Sequence, residues 1–117
     1  MPLMFDAMVS KGRGGPEGFA RVTATAPAEV HGLARKGRIE VGYDADFVLW
    51  DAGRQVTYGA NDLHDNVGYN PWEGTTVTGW PDTVILRGDV IVEADAFNGV
   101  PGQGLWQRRE GDWIVNP

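Results

Sequence analysis

The stretch Lys36-Gly37-Arg38-Ile39-Glu40-Val41-Gly42-Tyr43-Asp44-Ala45-Asp46-Phe47-Val48-Leu49-Trp50-Asp51 marks a change of texture along the chain. Before it, apolar residues recur at helical spacing. From Gly37 onward they come in short runs between turn residues, and β-branched and aromatic side chains become frequent. The first third therefore reads as helical and the remainder as β. Predicted strands cover residues 38–41, 47–50, 55–58, 75–78, 83–86 and 90–93. The last two pair as a hairpin across Arg87-Gly88-Asp89, where Gly88 supplies the positive φ of a tight turn.

Upstream, Leu3, Met4, Ala7 and Met8 lie at helical spacing and predict an amphipathic helix over residues 2–11, ended by Gly12, Gly14 and Gly15. The apolar stripe of Leu3, Met4 and Met8 needs something to cover it. A second helix is expected to start near Pro16 with Phe19, Ala20 and Val22 turned inward. A third starts at Pro27, which suits a first turn, with Glu29 in that turn and Gly32 as its stop. Downstream, Gly99, Pro101, Gly102 and Gly104 predict a loop running over a surface.

The chain has 117 residues, enough for one domain and well short of the roughly 250 of a (β/α)8 barrel. A net charge of −6, with ten Lys and Arg scattered apart from Arg108-Arg109, leaves no basic track for a phosphate backbone, so nucleic acid is not an expected partner. With no cysteine, disulfides and thiolate metal sites are excluded. The N-terminal residues Met1 to Asp6 lack a basic leader, and no run approaches the roughly 20 apolar residues of a membrane helix. A cytoplasmic location without membrane contact is the expectation.

Several blocks, in order, carry a family resemblance. Pro2-Leu3-Met4-Phe5, Lys11-Gly12-Arg13, Thr23-Ala24-Thr25-Ala26-Pro27-Ala28, His31-Gly32-Leu33, Lys36-Gly37-Arg38-Ile39 and Gly42-Tyr43-Asp44-Ala45-Asp46 resemble the C-terminal region of cyclic amidohydrolases. Leu63-His64-Asp65-Asn66, Tyr69-Asn70-Pro71-Trp72-Glu73-Gly74, Thr78-Gly79-Trp80-Pro81, Arg87-Gly88-Asp89-Val90 and Gly99-Val100-Pro101-Gly102-Gln103-Gly104 narrow it to the dihydropyrimidinase and hydantoinase branch. Allantoinases and dihydroorotases share the Gly-x-x-Ala-Asp block but usually lack the Pro-Gly-x-Gly tail. The resemblance reaches Arg109 and stops there.

The resemblance implies an α+β architecture in three parts. Residues 1–35 would be a helical segment, a remnant of the closing barrel helix and its connection. Residues 36–98 would be part of a mainly antiparallel β-sandwich, and residues 99–117 an extended Gly- and Pro-rich C-terminal tail. It also implies that the full-length enzyme opens a cyclic amide at a binuclear zinc centre, where a metal-bridged hydroxide attacks and a carboxylate moves its proton. The implied ligands are a His-x-His pair, a carboxylated lysine, further histidines and an aspartate, all at barrel strand ends. Those motifs cannot be placed in this chain, so no catalytic, cofactor-binding or metal-ligating residue is assigned.

Other features have plainer readings beside chemical ones. His31 and His64 are the only histidines. His31 lies near a predicted helix end, where a capping role suits the dipole. His64 with Asp62 and Asp65 offers metal-ligand chemistry but lacks a distant third ligand. Asp44 and Asp46 could do acid and base work, but carboxylates at a turn entering a strand are more simply acceptors of backbone N–H bonds. Arg87-Gly88-Asp89 spells an adhesion tripeptide and reads better as a turn. Of five tryptophans, Trp106 and Trp113 sit in the tail with Arg108 and Arg109. With Leu3, Met4 and Met8, these residues form the candidate interface, since aromatic and Arg side chains dominate interface hot spots.

The reading that follows is a C-terminal structural and oligomerisation segment of a dihydropyrimidinase- or hydantoinase-like hydrolase, inactive alone. It would associate with itself or with a polypeptide carrying the missing barrel. Surface left bare by the barrel favours such pairing, at about 25 cal/mol per square ångström reburied. The alternatives are a freestanding β-sandwich module for assembly or binding, and a small independent enzyme using Asp44, Asp46 and His64.

Overall fold

The structure, a computed structural model, describes residues 1–63 and 67–110. Helix α1 (Pro2–Phe5) opens with proline in its first turn, where a missing N–H leaves nothing unsatisfied, and continues directly into a π-helical segment, Asp6–Ser10. Gly12 at φ 68° turns the chain away. Helix α2 (Gly15–Ala20) then passes through a second π-helical segment, Arg21–Thr25, into α3 (Ala26–Val30).

The separate helices expected at Pro16 and Pro27 are thus one unbroken run. The wide π turn ahead of Pro27 accounts for the difference, because it relieves the ring clash and the missing hydrogen bond that proline imposes on a regular α-helix. Gly32, at φ 63°, follows the end of that run.

Four antiparallel strands follow in a meander, in the order β1-β2-β3-β4: β1 (Phe47–Thr57), β2 (Thr76–Leu86), β3 (Asp89–Glu93) and β4 (Ala96–Phe97). The predicted strands 47–50 and 55–58 are halves of β1. They are joined across an irregularity where Asp51 Oδ1 accepts the amides of Gly53 and Arg54 at 3.0 and 3.1 Å. Likewise 75–78 and 83–86 fuse into β2, which tolerates Pro81 because the ladder shifts register beside it. The β2–β3 turn has Arg87 at φ 49° and Gly88 at φ 91°, the double positive-φ geometry that matches strand twist.

One expectation needs correction. Residues 38–41 form no strand: Val41 is 102% exposed, and no described strand pairs with the segment, so its β propensity has nothing to act on. The β portion is a single four-stranded antiparallel sheet among the described residues.

The core is correspondingly small. Phe5, Phe19, Ala28, Tyr58 and Val77 are the buried apolar residues among those described. Residues 98–110 contain no helix or strand.

Candidate functional site

The helical third is fastened to the sheet through one aromatic cluster. Phe5 stacks on Trp50, with ring centroids 4.3 Å apart and planes 9° apart, and Phe19 meets both rings edge-on at 5.3 and 5.4 Å. Room for Phe5 exists because residue 79 is glycine. A Cβ there would stand 2.1 Å from Phe5 Cδ1, and its φ of 101° suits glycine in any case.

Asp6, the next residue, is buried. Its Oδ1 accepts the Thr78 amide at 3.0 Å and its Oδ2 accepts Lys11 Nζ, while Ser10 Oγ donates to the Thr78 carbonyl at 2.7 Å. The first helix therefore answers both backbone groups of Thr78 where the β1–β2 ladder is interrupted. Lys11 beside Asp6 holds its carboxyl below the usual carboxylate range; the Thr78 amide adds to this and burial opposes it.

A second cluster surrounds the Gly42 to Asp46 block. Lys36 Nζ lies 2.8 Å from Asp44 Oδ2, outside hydrogen-bonding direction and so held by charge, and it also pairs with Asp46 Oδ2. Arg35 Nη2 reaches Asp44 Oδ1 at 3.0 Å. Asp46 Oδ1 accepts the Arg87 amide at 2.8 Å, and the Ala45 carbonyl accepts that of Gly88 at 2.9 Å.

Lys36 keeps the Asp44 carboxyl below its ordinary range. In return, although partial burial works against the Lys36 charge, Asp44 and Asp46 raise its pKa. Asp46 and the Ala45 carbonyl hold the linker against the β2–β3 turn, while Asp44 pairs with Arg35 and Lys36 inside the linker. The backbone-acceptor reading describes Asp46 directly, and Asp44 is engaged by the charges of Lys36 and Arg35.

The candidate interface residues fall in two places. Leu3 and Met8 are half-buried and Met4 is 44% exposed on α1 and its continuation. Trp106, 85% exposed, and Arg108 and Arg109, also exposed, lie on the tail. Trp113 is outside the described residues, as are His64 and Asp65. Asp62 Oδ2 accepts the Gly59 amide at 2.6 Å. His31 caps the C-terminal end of α3 and is exposed. Trp80 packs on Tyr58 at 5.6 Å, and Trp72 is partly exposed.

No cluster of three or more His, Cys, Asp or Glu able to hold a metal ion occurs among the described residues. The nearest carboxylate pair, Asp44 and Asp46, is already charge-neutralised by Lys36 and Arg35. These donors do not fit a binuclear zinc centre, so no catalytic step is derived from one.

Two residues that organise the fold escaped the sequence reading. Asp6 carried a legible signal, since a carboxylate inside an apolar helical stripe calls for a buried partner. Arg87 carried none, because its part depends on the turn that folds it toward the tail.

A helical segment is thus pinned to an antiparallel sheet, with an Asp-x-Asp turn between them. The chain belongs to the amidohydrolase family, which its residues 4–91 match.

Within that family the similarity is to hydantoinases. The D-hydantoinase of Ralstonia pickettii is 40% identical over 102 residues, covering 86% of this chain and 22% of that protein. The D-hydantoinase of Geobacillus stearothermophilus is 39% identical over 108 residues, covering 92% and 23%. Among solved structures, the D-hydantoinase (dihydropyrimidinase) from Thermus sp. superposes with a TM-score of 0.88 at 38% identity, covering 93% of this chain and 24% of that one. The L-hydantoinase (dihydropyrimidinase) from Arthrobacter aurescens gives 0.88 at 31%, with the same coverage. The chain spans about a quarter of the length of the relatives it matches. The resemblance of its motifs to the hydantoinase and dihydropyrimidinase branch therefore holds.

Proposed function

We propose that this chain is the C-terminal structural and assembly segment of a hydantoinase- or dihydropyrimidinase-like cyclic amide hydrolase, and that it has no hydrolase activity alone. The observation that carries this reading is the coverage: 93% of the chain superposes on 24% of a Thermus D-hydantoinase. Length supports it too, since 117 residues cannot supply a barrel of roughly 250. The zinc centre and its ligands then belong to a barrel polypeptide, and this segment contributes part of a β-sandwich whose second layer comes from outside the described residues.

The exposed apolar residues are consistent with that assignment. Val41, Leu49, Phe97, Leu105 and Trp106 are each more than half exposed, and β1 is an 11-residue edge strand open to pairing. The partner would be a barrel polypeptide or a second copy of the chain, in the cytoplasm.

The test is a chimera in which this chain replaces the corresponding C-terminal quarter of a D-hydantoinase. Hydantoin hydrolysis by a soluble chimera supports the reading. A soluble, zinc-loaded chimera without turnover points instead to a freestanding assembly or binding module.

A further inference from the structure

The contacts that fix the tail form a closed ring. From Gly32, at the end of the helical run, the chain leads to Lys36, whose ammonium contacts Asp44 and Asp46. Asp46 Oδ1 accepts the amide of Arg87, a non-glycine residue at φ 49°. From that turn the Arg87 guanidinium donates to the carbonyl of Gln103.

Gln103 is itself locked by a reciprocal pair: its amide donates to the Val100 carbonyl at 3.2 Å, and its Oε1 accepts the Val100 amide at 3.2 Å. The tail then returns to its starting point, where the Glu110 amide donates to the Gly32 carbonyl at 2.8 Å. Only glycine fits there, because a Cβ on residue 32 would stand 2.3 Å from the Glu110 carbonyl oxygen.

We propose that residues 104–109 form a strap buckled by Arg87, and that Asp46, bonded to Lys36 and the Arg87 amide, sets its placement by holding Arg87 in the left-handed turn. The ring couples three parts far apart in sequence: the linker after α3, the β2–β3 turn and the tail. A left-handed backbone is unfavourable for arginine, so an acceptor for its amide is what keeps the side chain directed at Gln103. Between the two anchors Trp106 stands 85% exposed, held as part of a fixed arc rather than at the end of a free tail.

Amide hydrogen exchange on the full chain tests the coupling, with Glu110 reporting the strap and Val77, the most deeply buried residue of β2, reporting global opening. Arg87→Gly removes the guanidinium while leaving a residue that favours the turn. It should speed exchange at Glu110 by on the order of tenfold without changing Val77. Asp46→Ala should speed Glu110 to a similar extent by releasing the Arg87 amide. Glu110 exchange that is unchanged in either variant, or that rises only in step with Val77, would overturn the proposal.

Discussion

Phe5 lies flat on Trp50, 4.3 Å between ring centroids and 9° from parallel, and this stack joins the helical third of the chain to its sheet. The first helix is only partly apolar on its inner face, and its grip on the sheet rests on Phe5 followed at once by a carboxylate. Phe5 supplies area and Asp6 supplies direction, by capturing the amide of Thr78.

Removing either side of the Phe5 contact should be costly. Phe5→Ala is expected to lower stability by about 3 kcal/mol, read as a shift of the urea midpoint. Gly79→Ala should lose about 2 kcal/mol with all aromatic rings retained, because the added Cβ collides with Phe5 at a positive φ.

Asp6 makes stability depend on acid. Its folded pKa is depressed, so its contribution is complete above the unfolded value of about 4 and is lost as pH falls through the lower folded value. Asp6→Asn should flatten the acid limb of a stability-versus-pH curve and cost about 1–2 kcal/mol at neutral pH.

Lys36 acts at the other end of the scale. Its pKa is raised in the folded chain, so its contribution is complete below the unfolded value near 10.4 and fades as pH rises through the higher folded value. Lys36→Met should remove that alkaline loss, measured as thermal midpoints from about pH 9 upward through about pH 12 at constant ionic strength.

Gly37 fixes how closely the linker approaches the helical run. A Cβ on it would stand 2.6 Å from Ala28 Cβ and 2.7 Å from the Ala24 carbonyl oxygen, and its φ is 83°. Gly37→Ala is expected to cost about 2 kcal/mol or more and to weaken the bond from Thr25 Oγ1 to the Gly37 carbonyl. Equilibrium unfolding followed by circular dichroism measures the loss.

Trp106 tests the assembly reading without touching the core. Trp106→Ala should shift sedimentation velocity profiles toward smaller species while leaving the urea midpoint of the protomer within about 0.5 kcal/mol.

Much of this molecule was legible in its residues. The change from helical to β texture at Gly37, the Arg87-Gly88 turn and the family of the chain all follow from patterns that are local or fixed in order. What could not be read depended on partners distant in sequence. Residues 38–41 have strand-like composition, yet a strand exists only where another strand pairs with it. Pro27 looked like the start of a helix because a π turn just before it is invisible to periodicity. Asp51 and Pro81 looked like breaks between strands, whereas each is an irregularity that a longer ladder absorbs. The ring from Lys36 through Arg87 to Gln103 involves residues whose roles appear only once the turn is folded.

As the proposed structural end of a hydantoinase-like hydrolase, this chain should carry none of the catalysis itself. The direct measurement is hydrolysis of hydantoin and dihydrouracil by the purified chain, supplied with zinc and bicarbonate. No turnover above the buffer rate is expected. Turnover that co-purifies with the chain through successive columns and scales with its concentration would contradict it.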